Sequence, residues 1–159
     1  MRRELMVAAA LIAGMVGVAA CGGGGSGGGV YSQPAATPKA AAGLTVKVST
    51  TKLGPILTDS SGRTLYLFEK DKGAMSACSG ACASIWPPVS AMGVAGHGLS
   101  AAKLGSIKRP DGTTEATYAG HPLYTYAGDA KPGDTRGQGL DQFGAEWYVL
   151  APSGHKIGD

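Results

Sequence analysis

The sequence contains one ten-residue pattern twice, as GRTLYLFEKD at residues 62–71 and as GHPLYTYAGD at residues 120–129. Both copies follow Gly-x-x-Leu-Tyr-x-aromatic-x-x-Asp, and aromatic and β-branched residues favour strands. Alternate side chains of a strand point to opposite faces. The Tyr and the second aromatic of each copy are therefore predicted on one face, and the flanking Leu positions on the other. The Asp falls just past the strand, where its carboxylate can accept backbone N–H bonds of the next turn.

Two shorter segments of the chain also recur. Lys52-Leu53-Gly54 recurs at residues 103–105, and Trp86 recurs as Trp147. The three offsets are 51, 58 and 61 residues. Because a solenoid keeps one fixed period, these unequal offsets indicate a duplication with insertions instead.

Turn residues divide the rest of the chain into short strands. The alternation of apolar and polar residues over 44–49 is typical of a half-buried strand. Pro110 and Gly112 favour a turn before a predicted hairpin, in which a two-residue link at 119–120 joins residues 113–118 to 121–126. Residues 147–150 are a further predicted strand, followed by a short return at 155–157.

The predicted fold is all-β: two duplicated antiparallel β-repeats packed as one small domain, with one or two short helical segments. The helical segments are expected within 76–85 and 99–104. The domain is expected to span residues 44–159, with repeat one at about 44–92 and repeat two at about 99–157.

The duplicated pattern resembles that of a family of bacterial secreted-repeat lipoproteins with a Tyr-x-(Phe/Trp/Tyr)-x-x-Asp motif. The segments from Cys78 to Val89 and from Asp111 to Tyr124 are also similar to the family. The resemblance covers essentially all of residues 50–155 and implies a location outside the cytoplasm and a repeat architecture. It implies no reaction, because the family has no established activity. The motif residues are Tyr66, Phe68, Asp71, Tyr124, Tyr126 and Asp129.

The amino terminus has the features of an export signal. Arg2 and Arg3 precede an apolar stretch of 16 residues at 5–20, which is short for a membrane span. The stretch ends in Val-Ala-Ala-Cys and resembles a bacterial lipobox. The resemblance implies that residues 1–20 are a lipoprotein signal peptide and that Cys21 carries the lipid. The alternative is an ordinary cleaved signal peptide with an incidental cysteine, and both export the protein.

Residues 21–43 are predicted to be a tether between the lipidated Cys21 and the domain. The tract GGGGSGGG at residues 22–29 is typical of a flexible linker, and a spacer rich in Ala and Pro follows it. Its formal Gly-x-Ser-x-Gly match lacks the preceding strand and following helix of a hydrolase elbow. The chain is therefore expected in the bacterial cell envelope, held at the membrane by the lipid on Cys21 and facing away from the cytoplasm.

Charge and composition narrow the range of partners. Charged residues make up 16% of the 159 residues, and the formal net charge is +3. This balance gives no reason to expect nucleic acid as a partner. The partner is expected to be an unknown envelope component or a small ligand.

The pair Cys78 and Cys82 has two interpretations. In an exported chain, two cysteines four residues apart usually form a disulfide. The alternative is a redox metal site, because paired thiolates select Cu(I). Zinc fits less well, the absence of Cys-x-x-Cys-His excludes covalent haem, and non-covalent haem on a His or Met stays open. Possible additional ligands are Met75, Met92, His97, His121 and His155.

The aromatic and acidic motif residues also have two interpretations. The rings, together with Trp86 and Trp147, either form the core between the repeats or line a groove for a flat or apolar ligand. Asp71 and Asp129 either cap turns within their own repeats or form a carboxylate pair for acid–base chemistry. His121, at the start of the second motif strand, is either a hydrogen-bonding surface residue or a ligand.

The sequence favours a membrane-anchored extracytoplasmic lipoprotein that acts as a non-enzymatic binding or structural module for an unknown ligand. No cofactor is expected under this hypothesis. The alternative is a copper- or haem-binding redox protein that uses Cys78 and Cys82 with Met or His ligands. A hydrolase ranks third, because no catalytic triad or phosphate loop is apparent in the sequence.

Overall fold

The computed structural model describes residues 43–90 and 93–158. The predicted signal peptide, Cys21, the tether up to residue 42 and Met92 lie outside these ranges. No helix within them is long and apolar enough to cross a membrane.

The described residues form a small all-β domain, as predicted, with three sheets of three strands each. The orders are β2-β1-β4, β3-β9-β8 and β5-β6-β7, and all pairings are antiparallel except the parallel β1–β4. One helix, α1 (Ala81–Ile85), and one 3-10 turn (Ala101–Lys103) accompany them. The strands are β1 (Leu44–Thr51), β2 (Gly54–Thr58), β3 (Tyr66–Phe68), β4 (Gly93–Ala95), β5 (Leu104–Lys108), β6 (Thr114–Tyr118), β7 (His121–Pro122), β8 (Leu140–Gln142) and β9 (Ala145–Val149).

The hairpin predicted around residues 119–120 is present as β6 and β7. Ala119 and Gly120 have φ angles of 51° and 86°. Two consecutive positive φ angles are the backbone of a type I′ turn, whose twist matches that of the strands it joins. Regular pairing ends at Pro122, earlier than the predicted Tyr126, because the chain beyond it turns to pair with segments of the other repeat.

Each motif strand pairs with the other repeat. In β3, Tyr66 lies opposite Val149 and Phe68 lies opposite Trp147 of β9. In the second copy, residues 123–125 bond to residues 87–89, which follow Trp86. The two motif strands also join each other, because the N–H groups of Tyr66 and Tyr124 each donate to the other residue's C=O, at 2.9 and 3.0 Å. The repeats are therefore interlocked.

The core consists of two clusters, which lie on the two faces of the motif strands as the alternation predicts. The aromatic cluster contains Tyr66, Phe68, Trp86, Tyr124 and Trp147 with both disulfide cysteines. The leucine cluster contains Leu57, Leu65, Leu67, Leu123 and Leu150, and Tyr118 belongs to it rather than to the aromatic cluster. One strand thus contributes to both halves of the core.

Several element boundaries differ from the predicted ones. The segment 99–104 forms only the 3-10 turn, and α1 occupies only the second half of 76–85. The expected return at 155–157 amounts to one bridge between Leu150 and Lys156. Strands β4, β5 and β8 were not predicted. Strands β4 and β8 have three residues each, too few to display a periodic pattern, and β5 begins within the segment 99–104 that was expected to be helical.

Interlocking predicts that neither repeat folds alone. Residues 44–97 and 98–159 prepared as separate polypeptides should each lack a cooperative unfolding transition, because each motif strand has lost its partner and each half is a small chain with half a core. Mixing the two should restore the fold. Circular dichroism and NMR dispersion of the Trp indole signals would measure both states.

The matched control is the intact domain cleaved after folding at the exposed His97-Gly98 bond. It should remain folded, which separates the loss of partner strands from the loss of one peptide bond. Cooperative unfolding of either half by itself would contradict the interlocked architecture.

Candidate functional site

Four flat rings stack face to face at the centre of the aromatic cluster. Phe68 lies 4.0 Å from Trp147, Trp147 lies 3.9 Å from Trp86, and Trp86 lies 4.4 Å from Tyr126, measured between ring centroids. The rings alternate between the repeats along this ring stack. Because Phe68 corresponds to Tyr126 and Trp86 to Trp147, the order is symmetric about its midpoint.

Tyr66 and Tyr124 contact the ring stack edge-on. Tyr66 meets Trp86 at 5.3 Å and 81°, and Tyr124 meets Trp147 at 5.1 Å and 85°. Both tryptophans are fully buried, so their faces contact other rings and no open groove. Gly137 completes the enclosure, because a Cβ there would lie 2.6 Å from the Trp86 ring.

The two motif tyrosines bond to the Asp of the opposite copy. The Tyr66 hydroxyl donates to Asp129 Oδ2 at 2.7 Å, and the Tyr124 hydroxyl donates to Asp71 Oδ2 at 2.9 Å. We call these two contacts the Tyr–Asp braces. A hydrogen bond to a carboxylate is stronger than one between neutral groups, so each brace fixes one repeat against the other.

The second oxygen of each Asp caps its own turn, as the sequence suggested. Asp71 Oδ1 accepts the N–H of Ala77 at 2.7 Å, and Asp129 Oδ1 accepts the N–H of Arg136 at 2.9 Å. The turn-cap interpretation therefore describes half of the bonding, and the cross-repeat half was missed. Burial raises the pKa of both carboxyls above the usual value, against the opposing effect of these hydrogen bonds.

One brace continues into a polar network made of Asp71, Ser76, Arg109, Glu115 and Tyr124. The hydroxyls of Ser76 and Tyr124 lie 2.6 Å apart. Arg109 Nη1 donates to Ser76 Oγ and to Glu115 Oε2, both at 2.5 Å. Sequence analysis missed this ion pair, because a Glu that follows two threonines in a strand resembles a solvent-facing position.

Glu115 is a fully buried acidic group of this network. Its side chain is fully buried, and its Oε1 has no hydrogen-bond partner among the described residues. Burial raises its pKa from 4.5 to about 7, and the nearby Arg109 and Ser76 oppose this rise. Removing one member of a buried ion pair leaves an uncompensated charge, so Arg109 and Glu115 depend on each other.

Cys78 and Cys82 form a disulfide, with 5.3 Å between their Cα atoms. Cys78 is fully buried, and its carbonyl accepts a bond from Arg109 Nη2. The carbonyl of Cys82 accepts the N–H of Trp86 at 2.7 Å. The disulfide therefore joins the polar network to the helix that positions Trp86.

The predicted additional ligands lie in different surroundings. His121 is half-buried and lines a cavity of about 450 Å³ with Glu69, Asp71, His155 and Lys156. Burial and the nearby His155 lower the pKa of His121. His97 is exposed in a loop, and Met75 is 69% exposed. In the part of the chain that the structure describes, no three His, Cys, Asp or Glu side chains are grouped to hold a metal ion.

The fold and the Tyr–Asp braces define a small all-β protein built from two interlocked copies of one repeat. The chain belongs to the Lipoprotein_15 family, described as a secreted repeat of unknown function. The family model matches residues 47–90 and 105–151, which together are more than half of the chain. No curated protein and no solved structure matches the chain. Membership of a secreted family places the chain outside the cell or in its envelope.

The braces predict a stability loss when a motif hydroxyl is removed. Tyr66→Phe and Tyr124→Phe should each lower the free energy of unfolding by about 1–3 kcal/mol, because a partly buried carboxylate loses a donor. Urea unfolding measures this change. Tyr126→Phe is the matched control, since its hydroxyl bonds to no described residue, and it should change stability by less than about 0.5 kcal/mol. Equal losses at all three positions would contradict the braces.

The raised pKa of Glu115 predicts that the free energy of unfolding depends on pH. Its pKa is raised on folding, so the folded state binds the proton more tightly. The resulting stabilisation is complete below pH 4.5 and is lost as the pH rises through about 7. The wild-type free energy of unfolding should therefore fall by roughly 3 kcal/mol relative to Glu115→Gln across this interval. Urea unfolding of both proteins at about pH 5 and about pH 8 tests it, and parallel pH profiles would contradict it.

Proposed function

We propose that the chain is a lipid-anchored module of the bacterial cell envelope that binds a partner or small ligand outside the cytoplasm and catalyses no reaction. One observation carries the proposal: the motif side chains are engaged with one another. The ring stack and the Tyr–Asp braces use the aromatic and acidic residues that a catalytic or flat-ligand interpretation requires. Recognition would therefore use the outer surface of the domain.

The anchor belongs to the same proposal and rests on the amino-terminal sequence. Cys21 follows Val18-Ala19-Ala20 at the end of the apolar stretch, and the glycine tract begins directly after it. Two or three acyl chains, at about 0.8 kcal/mol per buried methylene, are sufficient for stable anchoring. Membership of a secreted family supports export, and the lipid is our inference from the lipobox.

Metabolic labelling tests the anchor. The full chain produced in a bacterial host fed labelled palmitate should incorporate the label, and Cys21→Ser should not, because the thioether needs the cysteine sulfur. Ser26→Ala is the matched control within the same tract, and it should incorporate as much label as the wild type. An unlabelled wild type, or a labelled Cys21→Ser, would refute lipid anchoring.

The competing function is a copper- or haem-binding redox protein that uses Cys78 and Cys82. The disulfide argues against it, because Cu(I) binds thiolates and the bonded sulfurs must first be reduced. His121 and His155, which share a cavity, are the imidazoles available to this alternative.

Metal analysis of the full chain from a copper-supplied host separates the two functions. A binding module should carry no stoichiometric copper or haem, and Cys78→Ser should only lower stability, by about 2 kcal/mol for so short a loop. One copper or haem per chain that disappears in Cys78→Ser would establish the redox function instead.

A further inference from the structure

A cationic cavity of about 490 Å³ lies beside the polar network. One wall comes from the loop that follows β3, and the other from the end of β5 and the turn after it. Its lining includes Lys70, Lys72, Met75, Lys108, Arg109 and Pro110.

Every charged residue that lines this cavity is cationic. Four of its lining residues are cationic, and the remaining lining residues are neutral. Arg109 is already paired, with the buried Glu115 and with the exposed Asp111. Lys70 donates to the carbonyl of Phe143 at 3.1 Å, and within residues 43–90 and 93–158 neither Lys72 nor Lys108 forms an ion pair. A negative group would therefore find uncompensated ammonium groups here.

An exposed apolar surface accompanies the charge. Met75 is 69% exposed, more than any other large hydrophobic side chain of the described domain. Pro110 lines the same cavity, and the methylene stems of the lysines extend the apolar surface. A ligand that fits this lining has a negative head and an apolar body.

Both walls are fixed before any ligand binds. Asp71 caps the first loop through the N–H of Ala77, and Ser76 in that loop contacts the Tyr124 hydroxyl. In the second wall, Asp111 Oδ1 accepts the N–H of Thr113 at 2.9 Å. A preorganised site loses little conformational entropy on binding, which favours affinity for a small ligand.

We propose that this cavity binds a small anionic amphiphile, a single carboxylate or phosphate head with an alkyl or ring body. Lys72 and Lys108 hold the head, and Met75 and Pro110 contact the body. The inference rests on the proposed function, because it names the ligand class of the binding module. A free organic acid and a lipid headgroup share this chemistry, and the site takes one molecule at a time rather than the face of a bilayer.

The test uses the full chain in nanodiscs of zwitterionic lipid, with octyl phosphate as the probe. The methyl resonance of Met75, labelled with carbon-13 and assigned by Met75→Leu, reports binding at the cavity itself. It should shift saturably with octyl phosphate. Inorganic phosphate, which lacks the body, and octanol, which lacks the charge, should each leave it unshifted at the same concentration.

Charge reversal at the cavity provides the decisive comparison. Lys72→Glu/Lys108→Glu should weaken octyl phosphate binding by about tenfold or more, because two attractions become repulsions. Lys52→Glu/Lys131→Glu changes the net charge equally away from the cavity and should keep the affinity within about twofold. All four lysines lie at the surface, and a thermal unfolding midpoint for each variant verifies the fold.

Three outcomes would overturn the inference: equal weakening in both double variants, a shift with inorganic phosphate as large as with octyl phosphate, or a shift that appears only when the nanodisc lipid is anionic. The last outcome would assign the surface to bilayer docking. Failure here is distinguishable from failure of the proposed function, because palmitate labelling and metal content are measured without the probe.

Discussion

The contact between Trp86 and Trp147 is the interaction on which the rest of the structure depends. The two indoles lie 3.9 Å apart and nearly parallel, at the midpoint of a stack to which the repeats contribute rings alternately. Each aromatic ring buries about 150–250 Å², so this stack is a large part of the apolar surface removed from water in a domain of this size. Each half of the stack contains one ring from each repeat.

Hydrogen bonds between the repeats satisfy most of the polar groups around the stack. Gln142 accepts both indole N–H groups, from Trp86 on its side chain at 2.9 Å and from Trp147 on its backbone at 3.1 Å. The tyrosine hydroxyls reach across to the opposite Asp residues. A buried indole or phenol without a partner would cost about 1–3 kcal/mol. Both the ring stacking and the hydrogen bonds of the aromatic cluster therefore require the two repeats to be interlocked.

Local sequence patterns predicted the motif strands and the main hairpin, and they were insufficient for the short strands and for the pairing partners. The alternation around Tyr66 and Tyr124 predicted extended segments with two faces, one that carries aromatic rings and one that carries leucines. The type I′ turn at Ala119 and the turn-capping role of Asp71 were also within reach of local rules. The same signals predicted two repeats packed as one domain but not their strand exchange, since no local pattern encodes which distant strand a motif strand will join.

The buried pair of Arg109 and Glu115 was missed for a different reason. Arg109 lies in a turn and Glu115 in a strand, at positions that local patterns assign to the surface. In the fold both side chains are buried, and Arg109 bonds to Ser76 and to the carbonyl of Cys78. The cavity beside them was equally out of reach, because its lysines come from segments almost forty residues apart. These features depend on tertiary contacts, which cannot be predicted from a single sequence before the fold is known.

Interlocking also sets the order in which the polypeptide acquires its structure. The first motif strand is complete at Phe68, yet its partner strand lies some eighty residues later and includes Trp147. Contacts this distant in sequence form slowly, because a long loop must close first. A chain synthesised from its amino terminus therefore completes its fold only after nearly its last residues have been made. The domain then assembles in one late step.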